Sequence, residues 1–290
     1  MLFSAILTGL VLGGTYALIA MGLTLQYGVA RIMNLAYGDL IIAGSFGAML
    51  LFTAAGINPL VALIIVVPAG FALSWLVYAL MLQPLARRSP NRDRLEGDSI
   101  LATFGLLFVI QGVALVLFGA NYQSYSFLAV PIDVLGTTIA ANRLLAFALA
   151  VLFGVGLWLL LTRTRFGTVI RAVAANPGSA PLVGINVDHV ARLAFALGGG
   201  LAAAGGVVVS MYLTFSATMG VIFTMKALIV VIMGGVGNLL GALAAGLILG
   251  VVETLVSSFV DPGLTLAATY LIFLAVLVVR PQGLFGKAAR

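Results

Sequence analysis

Long apolar runs separated by short polar interruptions dominate the chain. A helix needs roughly 20 apolar residues to cross a hydrocarbon core, within a range of about 17 to 25. Scanning on that basis predicts spans over 2–27, 35–55, 60–82, 100–118, 144–161, 193–213, 221–236, 239–260 and 264–279. The seventh is the shortest. It holds Lys226 and ends in Gly234-Gly235-Val236-Gly237, so it reads as a broken or re-entrant helix. The expected fold class is all-α: a polytopic integral membrane protein of about nine transmembrane segments, eight if 221–236 is re-entrant, in a single domain over 1–290.

The longest interruption is 163–192, a loop whose pattern predicts structure. It carries Arg163, Arg165, Arg171 and Arg192, and Phe166, Ile170 and Val173 recur at helical spacing, which demands an apolar face to cover. Asn176-Pro177-Gly178 then breaks the chain, a second short helical piece follows, and Gly184 marks a turn. Such a segment should fold against the membrane surface as a docking place for a cytoplasmic motor subunit, with the flanking spans carrying its movement.

Composition sharpens the class. Hydrophobic residues make up 63% of the chain and charged residues 8%, with a mean hydropathy of +1.24, where soluble domains carry about 25% charged residues. The 35 glycines fit a membrane bundle, because small residues let helix backbones approach closely. A net charge of +6 is no argument for nucleic acid, since the basic residues sit in short loops and report orientation. Arg87, Arg88, Arg92 and Arg94 share one loop, Arg163, Arg165, Arg171 and Arg192 another, and Arg280, Lys287 and Arg290 close the chain. Nine spans put all three groups, and Arg31, in the cytoplasm with the N-terminus outside; Arg143 and Lys226 face the other way. The first apolar run lacks a basic leader and continues past any cleavage point, so it is a span, not a signal peptide. With no Cys and one His, disulfides, thiol chemistry and most zinc sites are excluded.

Few residues carry candidate chemistry. Asn34, Tyr37 and Asp39 form a polar knot between two spans, although an acid opening a helix is also favoured by the helix dipole alone. Glu253 lies deep in its span, where a carboxylate costs on the order of 3 kcal/mol, so it faces either a neighbouring helix or a wet pathway. Lys226 is expected to snorkel outward, and His189 to be a surface imidazole. The run GGVGNLLG has the outline of a dinucleotide loop, but both its flanks are spans, and close helix packing explains it better. It also echoes the Asn34 to Leu40 stretch, since both place an Asn and glycines between two apolar runs, as expected of an internal repeat. The 119–142 loop reads as an external loop with interfacial aromatics, or as a landing surface for an external partner. No P-loop, HExxH or serine elbow occurs, and the spans lack the acids of an ion-coupled carrier. Energy must therefore arrive from outside the chain.

Three runs carry a family resemblance: GTYALIAMGLTLQYGVARIMNLAYGDL at 14–40, RTRFGTVIRAVAANPGSAPLVGIN at 163–186, and MKALIVVIMGGVGNLLGALAAGLILGVVE at 225–253. In this order they resemble the permease subunit of branched-chain amino acid ABC importers, the LivH type. The resemblance implies a permease domain over 1–290 in a bacterial inner membrane, without cofactor or catalytic residues. It implies as partners a second, LivM-like permease, two cytoplasmic ATP-binding subunits and an extracytoplasmic solute-binding protein. Ala174, Asn176, Pro177, Ala180, Leu182 and Gly184 match the coupling segment that sits in the ATPase, with Arg163, Arg165 and Arg171 flanking it. Asn34, Tyr37, Gly38, Asp39, Gly235, Gly237, Asn238 and Glu253 become candidates for the translocation path. Tyr37 and Asp39 depart from the His and Glu common in the family, which puts any role of an imidazole there in doubt. Urea, amides or other small solutes remain alternative cargoes, and an ATP-independent channel or carrier is the rival class.

Overall fold

Small residues at regular positions on the first helix decide how the bundle packs. The computed structural model describes residues 2–89, 91–134 and 137–286; Lys287 and Arg290 lie outside the described residues. Helix α1 (Leu2–Ala30) meets α10 (Leu239–Phe259) backbone to backbone. A Cβ added at Gly9 would stand 2.6 Å from the Cα of Val251, and one at Gly13 2.7 Å from the Cα of Leu247. The two helices are therefore antiparallel and as close as helices can be. On another side of α1, Gly22 lies against Gly198 of α8 (Val187–Ser210), and the Gln26 Nε2 donates to the Phe195 carbonyl at 2.9 Å.

The same rule builds outward from α8, the most completely enclosed of the long helices. Gly44 of α2 (Tyr37–Ala55) would place a Cβ 2.7 Å from the Ala203 carbonyl, and Ser45 Oγ donates to the Gly206 carbonyl at 2.8 Å. Gly70 of α3 (Pro59–Val77) rests against Ala203 and Gly199. Asn58 starts α3 by accepting from the Leu60 N–H at 2.9 Å, with Pro59 in the first turn where its missing N–H costs nothing. A five-residue π-helical turn, Tyr78–Leu82, leads on into α4 (Gln83–Arg88). α5 (Arg92–Phe118) and α11 (Thr265–Val279) pack at the periphery and turn Leu101, Val116, Leu271 and Val278 outward, as lipid-facing helices do.

Eight helical segments among the described residues are long and apolar enough to cross a membrane. Between α8 and α10 the chain must return to the end from which α8 set out, because Gly28 faces Gly237 just before α10 while Thr15 bonds Tyr212 just after α8. The return uses α9 (Gly220–Gly234), whose 15 residues rise only about 22 Å of the roughly 30 Å hydrocarbon core. The irregular 211–219 segment supplies the rest. The seventh run is thus a short helix entered through partly buried non-helical chain.

α6 (Ala141–Arg163), a short α7 (Arg165–Ala175) and a 3-10 turn (Ala180–Val183) complete the helical elements that concern function. Strands were not expected, yet β1 (Pro131–Val134) and β2 (Thr137–Ala140) form an antiparallel hairpin in the 119–142 loop, pairing Ile132 with Ile139. The loop folds down onto the bundle: Gln123 pairs with Phe215 through both backbone bonds, and Tyr125 shares a 2.8 Å hydrogen bond with Ser210. Burial raises the Tyr125 phenol above its ordinary pKa.

Replacing Gly250, which sits against the Gly13 backbone, by Leu should cost about 2 kcal/mol or more, since overpacking here can be relieved only by separating α1 from α10. Gly156→Leu, on an open face, should change stability by no more than about 0.5 kcal/mol. Thermal unfolding in detergent compares the two directly.

Candidate functional site

Between α1 and α2 the chain runs without helix through 31–36 while still inside the bundle. Exposed backbone polar groups are not tolerated at that depth, so each needs a protein partner. Thr103 Oγ1 of α5 accepts from Leu35 N–H at 3.1 Å and donates toward the Met33 carbonyl at 3.0 Å. Thr224 Oγ1 of α9 accepts from Gly38 N–H at 2.8 Å and lies 3.1 Å from the Leu35 carbonyl. Asn34 Oδ1 accepts from Ala36 N–H at 3.1 Å, and its Nδ2 donates to Gln26 Oε1 at 3.1 Å. Tyr37, fully enclosed, donates its hydroxyl hydrogen to the Ile19 carbonyl at 2.8 Å.

The polar knot of Asn34, Tyr37, Gly38 and Asp39 is therefore a real assembly, joining α1, α2, α5, α8 and α9. Two of its side chains, Asn34 and Tyr37, hold backbone, and Gly38 contributes its own N–H. Asp39 differs: it is buried in the first turn of α2 beside Gly220, and neither carboxylate oxygen has a hydrogen-bond partner among the described residues. Gln26, Thr103 and Thr224 were not singled out from sequence, although each is a polar residue inside an apolar run.

Glu253 is held by a four-group network. Its Oε2 accepts from Tyr16 at 2.7 Å and from Lys226 Nζ at 2.9 Å, while Oε1 accepts from Thr269 at 2.7 Å. Lys226 Nζ also reaches the Tyr16 hydroxyl at 2.6 Å and lies 4.6 Å from that ring's centroid. The expectation that Lys226 snorkels outward is overturned: a carboxylate one helix away offers it a better partner than the interface. Of the two readings for Glu253, the contact with neighbouring helices is the one observed, and both its oxygens are occupied.

Gly235 and Gly237 occupy a turn at the end of the bundle. Both have positive φ, +101 and +79, which only glycine takes without strain, and the turn lets Gly234 touch Gly241 across α9 and α10. Asn238 caps α10 by accepting from Gly241 N–H at 3.1 Å, and its Nδ2 donates to the Phe285 carbonyl at 3.0 Å. The path candidates thus fall in three places: the interior break, the Glu253 network and this terminal turn. The two stretches that echo each other in sequence lie at different depths.

The 163–192 segment folds as its pattern predicts. Thr164 caps α7 by accepting from Gly167 N–H at 3.0 Å, and Gly167 has no room for a side chain against the Leu160 and Leu161 backbone of α6. Ile170 and Val173 are buried, and Arg163, Arg165 and Arg171 are exposed. Asn176 then turns the chain, its Oδ1 accepting from Gly178 and Ser179 N–H groups at 3.2 Å each. Pro177 sits at this corner, half-buried, with Ala174 half-buried just before it. Ala180 is buried under the 3-10 turn, Gly184 closes it at φ +78, and Asn186 caps α8. Leu182 and Val183 project outward with 86% and 74% of their surface exposed. Arg87 of α4 pins the start of α8 by two hydrogen bonds to Asp188, at 2.9 and 3.0 Å, a link absent from the sequence reading. His189 is a surface residue, as expected.

A bundle of apolar helices with a buried break and structured surface loops has the build of a membrane transport subunit, and comparison with known proteins agrees. Residues 5–280 match a family model described as branched-chain amino acid transport system / permease component, and the chain belongs to that family. It is 28% identical over 289 residues to the high-affinity branched-chain amino acid transport system permease protein LivH of Escherichia coli K12, covering 96% of this chain and 94% of that one. It is 27% identical to BraD, the corresponding permease protein of Pseudomonas aeruginosa, over 97% and 95% of the two chains. A probable LivH of Methanocaldococcus jannaschii is 29% identical over 93% and 88%. Among solved structures, a chain of PsaBC from Streptococcus pneumoniae in complex with Fab aligns with a TM-score of 0.50 and 11% identity over 96% of this chain and 92% of that one; this likeness concerns the fold alone.

Lys226→Met leaves the Glu253 carboxylate uncompensated in an apolar interior and should cost about 3 kcal/mol or more. Combining it with Glu253→Gln should recover most of the loss. Thermal unfolding of both variants in one detergent measures the difference.

Proposed function

We propose that this chain is one of two permease subunits of an ABC importer for branched-chain and related hydrophobic amino acids. Its partners are a LivM-like permease, two ATP-binding subunits and an extracytoplasmic solute-binding protein. What carries the reading is the segment after α6: an anchored helix and turn that present Leu182 and Val183 to solvent between exposed arginines. Apolar side chains held out on a rigid turn suit insertion into a partner's pocket. The relatives are named as permeases of branched-chain amino acid transport, which supports the cargo.

The orientation follows the positive-inside rule. Arg31, Arg87, Arg88, Arg163, Arg165, Arg171 and Arg280 gather at the end that carries α4, α7 and the chain's last turn, while Arg143 opens α6 at the other. That end is cytoplasmic, and the N-terminus lies outside in a bacterial inner membrane. In this reading the path runs beside the interior break, with Asn34, Tyr37 and Gly38 shaping its wall and the unpartnered Asp39 as its polar group. Glu253 supports that wall through Lys226, and Gly235, Gly237 and Asn238 form the tight turn that joins α9 to α10 at its cytoplasmic end.

Proteoliposomes containing the chain with its permease, ATPase and binding-protein partners test the proposal. Uptake of leucine, isoleucine or valine should require ATP inside and the binding protein outside; uptake that persists without ATP refutes it, and preference for urea or short amides reassigns the cargo. The paired substitution Leu182→Asp and Val183→Asp should lower ATP-driven uptake at least about tenfold by removing the apolar anchors, with assembly judged by co-purification of the two permeases and circular dichroism unchanged.

A further inference from the structure

Beside α7 lies a cavity of about 550 Å³ to which the transport reading assigns no ligand. Its walls include Arg31, Arg171, Thr24, Asn238 and Trp158, and no carboxylate lines it. Neither arginine forms an ion pair among the described residues, and Arg171 has only a long 3.5 Å contact to Thr168. The Thr24 hydroxyl is buried without a partner. Arg31 takes a left-handed backbone, φ 55, at the C-terminus of α1, where glycine would sit without strain. The fold therefore holds two unpaired guanidinium groups around a pocket between helices.

A second feature joins it. An apolar groove of about 290 Å³ runs between α1, α6 and α10 and shares Trp158, Leu239 and Leu240 with the basic cavity. From Trp158 back to Phe147 it follows α6 for roughly 16 Å toward the membrane centre, past Gly154 and Ala150. A basic pocket at a helix-bundle end, roomy enough for a lipid headgroup and adjoining an apolar groove, matches one kind of molecule in shape and charge. A soluble anion would leave the groove unused. A neutral lipid would leave both guanidiniums unused.

We propose that this cleft binds an anionic phospholipid, its phosphate between Arg31 and Arg171 and one acyl chain in the groove along α6. Guanidinium forks suit phosphate oxygens, and basic pockets between helices at headgroup level select acidic lipids. Because Arg171 belongs to α7, the lipid ties α7 to α1 and α6. The leaflet concerned rests on the orientation proposed above; the binding itself requires only that α7 lies at a membrane surface.

The chain has two tryptophans, so Trp75→Phe leaves Trp158 as a reporter within the cleft. The full-length protein is reconstituted in phosphatidylcholine vesicles containing a minor fraction of lipid with brominated chains, either phosphatidylglycerol or phosphatidylcholine. Trp158 quenching should favour the anionic lipid roughly thirtyfold, the preference expected of two arginines at about 1 kcal/mol each at a membrane surface. Arg31→Gln with Arg171→Gln should abolish that preference. Val151→Phe, which fills the groove and spares both arginines, should reduce quenching by the anionic lipid and carries the test if the double variant fails to fold. Equal quenching by the two headgroups, or a preference that survives the arginine substitutions, overturns the proposal. Loss of the preference on adding inorganic phosphate also overturns it, by identifying a soluble-anion site. No ATPase is present, so the outcome stands apart from that of the transport assay.

Discussion

Satisfying backbone hydrogen bonds away from water is the constraint on which the structure depends. Continuous helices meet it unaided, but this chain runs without helix at 31–36 while still inside the bundle, and again at the partly buried 211–219. The first interruption survives because Gln26, Asn34, Thr103 and Thr224 offer hydrogen bonds from four directions. Those side chains reach it only because the surrounding helices are nearly in backbone contact. Gly22 against Gly198 brings α8 to α1, and Gly38 against Gly220 brings α9 to α2. Close packing and polar satisfaction are thus one arrangement: a larger residue at either contact would move a donor or acceptor away from the break.

Electrostatics adds a second tie across the same helices. A lysine and a glutamate are each costly in an apolar interior, and the cost falls only when both are paired and their remaining hydrogen-bonding capacity is filled. Here Tyr16 and Thr269 complete the shell, so the pair links α1, α9, α10 and α11. α9 gains most, being too short to span alone and entered through irregular chain. Whatever moves α9 must carry α10 and α11 along or break this pair.

Much of this was legible in the sequence, for identifiable reasons. Apolar runs gave the crossings, since length and hydropathy alone decide them, and the spacing of Phe166, Ile170 and Val173 gave α7 with its buried face. Asn34 and Asp39 stood out because polar residues at a span boundary are rare. Lys226 was misread because its partner Glu253 is 27 positions away and only the turn at Gly235 and Gly237 brings them face to face. The hairpin at 131–140 was missed because its strands are four residues each, too short for alternation to register. The basic cavity was invisible because Arg31 just after α1, Trp158 on α6 and Arg171 on α7 meet only through glycine contacts that no single stretch encodes.

α8 is the structural link between the surface loop and the interior. α7 is fixed to the end of α6 by the Thr164 cap and the Gly167 contact, and the 3-10 turn runs through Gly184 straight into the Asn186 cap of α8. Between Ala180 and Val187 no stretch is long enough to absorb a displacement, and Ile185 N–H is bonded back to the Ala180 carbonyl at 3.2 Å. Two residues along α8 then meet the residues that flank the break: the Phe195 carbonyl accepts from Gln26, which holds Asn34, and the Gly198 carbonyl lies 3.5 Å from the Tyr37 hydroxyl. Close-packed interiors shift between discrete arrangements and deform little in between. A displacement of α8 along its axis therefore acts on the two side chains that flank the break, Gln26 before it and Tyr37 after it, while the backbone of 31–36 stays held by Thr103 and Thr224 on other helices.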